Sequence, residues 1–319
     1  MSFDRKRIEK PRGPMPIYRK PPPKDIDVTV CIAAFSGDGS IFAVSDRMLT
    51  ADDTTYEPKV SKKVFQLTAL CFAMNAGHDG IQAEIMGMMQ ASINGAMEQK
   101  KDWFQFSVKG MADSYVEFHN QIKRKRISDS ILAPFNLDQD AFISRQKELS
   151  DIFIRDISDQ VTRFEMPETA TIIAGIDNST GSIEPHIYAI KRGRYESVVC
   201  CDASGYAVVG AGERHADTYL MQSNFTRHFR NTKTLFLCYA AKRRSEVAPG
   251  VGRQTDIRVM GPAGGFSFLG DAKSQLPGLA DIYDKMIATE QTAEKEAVYE
   301  TDEYMKGKLP IDKSGSDQK

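Results

Sequence analysis

The chain is poor in the features that most quickly assign a class. Its 319 residues carry 5 cysteines and 5 histidines, and the net charge is −1. Cys31, Cys71, Cys200, Cys201 and Cys238 show no metal-ligand spacing and sit in apolar, strand-like stretches. They read as buried thiols of a reducing compartment. The histidines are scattered in the same way, so neither a metal nor a cofactor is expected. A charge balance near zero gives no basis for a nucleic-acid or membrane partner. No apolar run approaches the roughly 20 residues of a membrane helix, and the first residues lack a signal-peptide core. A soluble cytoplasmic protein is the expectation.

The two ends differ from the middle. Residues 1–27 are basic and proline-rich, with Arg5-Lys6-Arg7 and Pro21-Pro22-Pro23. Such a leader favours extended polyproline II and builds no packed core, so it is expected as a disordered arm or propeptide. Residues 271–319 read as one helix, around Leu279, Ile282, Tyr283 and Met286, followed by a polar tail.

Between them, 28–270 reads as one domain. Val28–Ala34 and Ile41–Ser45 make a strand pair across the Ser36-Gly37-Asp38-Gly39 turn. Lys63–Leu67 and Ala69–Asn75 make a second pair. Helical periodicity follows from Gly80 and over Val108–Lys123. A charged, mostly helical insertion occupies 126–165, including Phe142–Ile157. Strands return at Thr171–Ile176, His186–Lys191, Val198–Cys201 and Tyr206–Val209. Helices after Gly212 and over Thr234–Arg244 precede strands at Thr255–Met260 and Gly265–Leu269. This order predicts an α+β fold with two sheets face to face and helix layers outside, a four-layer αββα sandwich.

Thr29, Asp46, Lys63 and Gly77 carry the chemistry. As a first residue, Thr29 would offer a hydroxyl nucleophile and an α-amine titrating near 8, able to act as its own general base. A lysine held by a carboxylate would support the nucleophile, and a glycine lets backbone approach a reacting carbonyl. Each residue also has a plainer reading. Thr29 would be a strand residue, Asp46-Arg47 a local ion pair, Lys62-Lys63 an exposed pair, and Gly77 a turn. Cys31 is a rival nucleophile or a buried strand thiol. Asp79 is expected to cap the helix that starts near Gly80, and Lys123-Arg124-Lys125-Arg126 to end a helix on a solvated face.

Asp46-Arg47-Met48-Leu49-Thr50, then Lys62-Lys63-Val64-Phe65-Gln66-Leu67, then Ala76-Gly77 resemble a proteasome β-type subunit. Small bacterial proteins opening Met-Thr-Val-Cys-Ile-Ala-Ala are similar, as is the bacterial peptidase that works with ATP-dependent unfoldases. The resemblance is densest over 28–90 and looser over 168–260, at Ile173-Ala174-Gly175 and Gly210-Ala211-Gly212. It implies the N-terminal-nucleophile (Ntn) hydrolase fold and a threonine protease cleaving peptide or protein amides once residues 1–28 are removed. Thr29 then matches the nucleophile, Asp46 and Lys63 its charged partners, Gly77 the oxyanion-binding glycine, and Thr50 a residue whose backbone pairs with substrate. It also implies a homo-oligomer, a ring in the family, with an ATP-dependent unfoldase as partner.

Three positions depart from that pattern. Val28 stands where self-cleaving members carry glycine, and valine is stiff and branched. Ala211 stands where active members carry a serine. The later acid and serine would fall near Arg244–Val247, where Ser245 and Glu246 are shifted substitutes. These departures fit a rival reading, a non-catalytic assembly scaffold with its leader retained. A small-molecule amidase on the same fold is a third.

Overall fold

The computed structural model describes residues 29–51, 54–59, 63–99, 106–178, 182–191, 197–271, 275–306 and 308. The leader, Val28, Lys62 and the end of the polar tail lie outside them.

Two five-stranded antiparallel sheets form the centre. The first has the order β10(Tyr206–Val209), β1(Cys31–Phe35), β2(Ile41–Asp46), β11(Thr255–Met260), β12(Phe266–Asp271). The second has the order β5(Val64–Gln66), β6(Cys71–Gly77), β7(Thr169–Asp177), β8(Glu184–Lys191), β9(Ser197–Cys200). A short hairpin, β3(Leu49–Ala51) with β4(Thr54–Tyr56), stands apart from both. Its three-residue strands are too brief to leave an alternating pattern in the sequence.

The central strands are buried on both faces, which explains their continuous apolar character. Successive side chains of a strand point to opposite faces. In β1, Cys31, Ala33 and Phe35 join a cluster with Phe72, Met74, Ile172, Ala174 and Ile187 of the second sheet. Ile32 and Ala34 face the other way, into a cluster with α5(Glu213–Gln222), α6(Asn231–Ser245) and the start of α7(Pro277–Met305). On the outer side of the second sheet, Ala73, Ile173 and Ile190 pack with α1(Asp79–Glu98) and α2(Val108–Ile127). Each large side chain so buried contributes about 1.5–3 kcal/mol. No described helix is long and apolar enough to cross a membrane.

Several expectations change. His78, not Asp79, caps α1: its Nδ1 accepts from Ile81 N–H at 3.3 Å, and Asp79 is the first helical residue. The Phe142–Ile157 helix is broken into α3(Gln139–Ser144) and α4(Asp151–Arg163). Ser150 makes the break by adopting an extended cap conformation and accepting from Phe153 N–H at 3.3 Å. This region has its own small core of Ile127, Ile131, Leu132, Leu137 and Ile157. The cysteines are not uniformly buried strand thiols. Cys200 is exposed, Cys201 is half-buried, and Cys238 lies in α6. The C-terminal helix extends well beyond Met286, to Met305.

Candidate active site

Asp46 ends β2 with no exposed surface, and its carboxylate is enclosed by four donors. Oδ1 accepts from Val30 N–H at 3.1 Å and from Lys63 Nζ at 2.7 Å. Oδ2 accepts from Met48 N–H at 3.1 Å and from Gly252 N–H at 2.7 Å. Lys63 is 2% exposed, so the pair sits in a low-dielectric site where its geometry matters. This overturns two of the plainer readings. Asp46 pairs with Lys63 rather than its neighbour Arg47, which bonds Asp256 and Gln254 instead. Lys63 is buried rather than exposed.

Thr29 lies just outside β1 rather than within a strand. Its φ of 145° is one that β-branched residues rarely adopt, at a cost on the order of 1–3 kcal/mol. The carbonyl of Thr29 accepts from Gly212 N–H at 3.1 Å. Gly210, at φ 101°, passes so close that a Cβ would press on that carbonyl. The Gly210-Ala211-Gly212 turn therefore grips Thr29 by its backbone. The Thr29 hydroxyl donates to Met48 O at 3.2 Å.

Gly77 ends β6 at φ 93°, and a Cβ there would overlap Glu168 O. Both facts demand glycine. Thr29, Lys63, Asn75, Gly77 and Gln82 line one small cleft of about 20 Å³, room for a water molecule. The structure thus brings Thr29, Lys63 and Gly77 together, with Asp46 directly behind. Thr50 lies in β3, where its backbone pairs with Thr55. Met48 and Leu49, the residues before it, line the same cleft.

Two groups at the site carried no sequence signal. A polarised hydrogen-bond chain runs to the cleft from α2. Tyr115 O–H donates to Gln82 Oε1 (3.0 Å), Gln82 Nε2 to Thr171 Oγ1 (3.1 Å), and Thr171 Oγ1 to Asn75 Oδ1 (3.2 Å). That order fixes the Asn75 amide, whose buried Nδ2 has no partner among the described residues. The second group is Lys242, fully buried in α6. Its Nζ donates to Gly252 O and to Glu246 Oε1, both at 2.7 Å. Burial pushes its pKa down, while Glu246 and Asp46 push it up; the net is a lowering. Because Gly252 N–H holds Asp46 Oδ2, Lys242 braces the backbone that holds the carboxylate, while Lys63 bonds its Oδ1. A lysine opening the basic run Lys242-Arg243-Arg244 gives no hint of such burial.

The remaining candidates separate from the site. Ser245 Oγ donates to Lys242 O and Glu246 pairs with Lys242, so neither is given to Thr29. Ala211 packs against the apolar cluster beneath α5 and α6. Cys31 is buried between the sheets and donates to Asn75 O at 3.5 Å. Burial pushes its thiol up to about 12, with Lys63 lowering and Asp46 raising it, so it is no nucleophile near neutrality. No protein-family model matches the chain, and no curated protein matches it.

Proposed function

We propose that the chain is a threonine-type Ntn hydrolase on a four-layer αββα sandwich, active once residues 1–28 are removed. The observation that carries this reading is the buried Lys63–Asp46 pair, 2.7 Å apart, opening on the same cleft as Thr29 and Gly77. A purely structural ion pair has no need of a hydroxyl, a cleft and a close-approach glycine beside it.

In the proposed maturation, Thr29 Oγ attacks the Val28 carbonyl carbon and the acyl group moves from nitrogen to oxygen. Water then hydrolyses that ester, leaving Val28 as a carboxylate and Thr29 with a free amine. The strained φ at Thr29 favours breaking this junction. In turnover, Oγ attacks a peptide or protein amide and its proton passes to the Thr29 amine. Lys63, held by Asp46, offsets the developing charge, and Gly77 N–H holds the oxyanion. The amine product leaves with the proton, and water hydrolyses the acyl ester. Thr50 backbone would pair with extended substrate. The resemblance adds a homo-oligomer, in ring form, supplied by an ATP-dependent unfoldase.

A second reading is the leader-bearing assembly subunit. Two observations favour it: the Thr29 hydroxyl is committed to Met48 O, and Ala211 is apolar where the amine would want a partner. Intact mass separates the two. The hydrolase reading expects wild type to lose residues 1–28 and Thr29→Ala to keep them, with the processed form labelled by a threonine-directed covalent probe. Wild type that stays full length after long incubation would leave the scaffold reading standing alone.

A further inference from the structure

Helix α7 is anchored at one end only. Tyr283 is buried against Tyr239, their rings 5.9 Å apart, and Leu279, Ala280, Met286 and Ile287 pack beside it. Glu290 pairs with Arg244. Beyond that point every residue from Gln291 to Tyr304 is exposed. At 1.5 Å per residue this is an arm of roughly 20 Å. Ala293, Ala297, Val298, Thr301, Tyr304 and Met305 fall on one face at helical spacing. Val298 is 57% and Tyr304 68% exposed. Glu296, Glu300 and Glu303 line one edge of that face and Asp302 the other, Glu294 interrupts it, and Lys306 pairs with Glu303. Glu296 and Glu300, four apart, repel, and a bare helix of this length is marginal in water.

A surface whose charge complements that acidic edge lies on the α1–α2 pair. Met89, Ile93, Phe106, Met111 and Phe118, interleaved with Ser92, Ser107, Gly110 and Ser114, line a groove of mixed polarity and about 200 Å³ between α1 and α2. Lys125 lies two turns beyond Phe118 on the same face of α2, with Arg124 beside it, and both are exposed. The α1–α2 pair covers the second sheet and α7 is anchored over the first, so both sheets lie between the anchored end of α7 and the groove of the same chain.

We propose that the distal half of α7 is an assembly arm that docks in the α1–α2 groove of a second copy of this chain. The apolar face enters the groove, and its acidic flank meets Arg124 and Lys125. The contact is head-to-tail, joining different surfaces of two identical chains. It does not rest on the hydrolase reading, since a chain that never cuts can still assemble this way.

Sedimentation velocity of the full chain at low ionic strength tests it. Wild type is expected to assemble, and Glu300→Lys with Glu303→Lys to weaken assembly about tenfold or more. Arg124→Glu with Lys125→Glu should do the same, with helical content unchanged by circular dichroism. Combining all four reversals in one chain should restore assembly. A monomeric wild type, reversals without effect, or a failure of the combined chain to recover would each overturn the proposal. Because the measurement reads mass rather than cleavage, a monomeric wild type would remove the homo-oligomer from the proposed function and leave the cleavage chemistry at Thr29 untouched.

Discussion

Two of the short cation–carboxylate pairs among the described residues are equal in length and do different things. Lys63–Asp46 and His186–Asp202 are each 2.7 Å. The first lies behind a cleft that holds a threonine hydroxyl and a close-approach glycine. The second lies along β8 and holds chain to chain. Asp202 Oδ1 accepts from Ile187 N–H at 2.9 Å, while Asp177, 3.5 Å from the far side of the ring, accepts from Val108 N–H at 2.6 Å. A buried pair is therefore no mark of catalysis by itself; what it faces decides.

Asp46→Asn should give the largest stability loss, about 3–5 kcal/mol by urea denaturation, because it strands a buried lysine. Asp202→Asn should cost about 1 kcal/mol, since Asp202 is partly exposed and water can replace its bonds. Equal losses would erase the distinction drawn between the pairs.

Gly77→Ala comes next, at about 2–3 kcal/mol, from positive φ and overlap with Glu168 O. An unchanged melting midpoint would show that β6 and β7 do not approach so closely there.

The His186 pair should reveal itself through pH. The Asp202 hydrogen bond raises the His186 pKa above 6.5 against the opposing effect of burial, and Asp202, Asp177 and Glu184 add to the rise. Burial pushes the Asp202 carboxyl up, but the His186 and Ile187 hydrogen bonds bring it below 3.8. The folded state thus holds the histidine proton more tightly. Its contribution is full below 6.5 and fades as pH rises through the raised value. The Asp202 contribution is present above 3.8 and fades as pH falls. His186→Gln should flatten the alkaline side of the urea-midpoint profile. A variant with the wild-type slope would mean that another group titrates there.

The smallest effect is expected for Asn75→Leu, within about 1 kcal/mol, because Nδ2 makes no bond and the Thr171 hydroxyl that loses Asn75 Oδ1 can donate to Gln82 Oε1 instead. A much larger loss would mean that this amide is a structural partner rather than a donor presented to the cleft.

Much of the fold could be read from residue order. Tyr206–Val209 and Thr255–Met260 fall where apolar and β-branched runs place them, and α1 and α2 follow their apolar periodicity. The break at Ser150 was hidden because a capping serine and a solvated helical serine look alike in sequence. The β3–β4 hairpin was too short to show a period.

The candidate site divides along the same line. Sequence alone set Thr29, Asp46, Lys63 and Gly77 in an order suited to one chemistry, since strand and turn spacing are local properties. Only the tertiary structure gave Lys63 rather than Arg47 to Asp46. It also brought Gly252 to the same carboxylate from 206 residues away, braced by Lys242. The reason is physical: a charge beside another in sequence can face water, whereas burial forces each charge to find whatever partner the packed elements bring within reach.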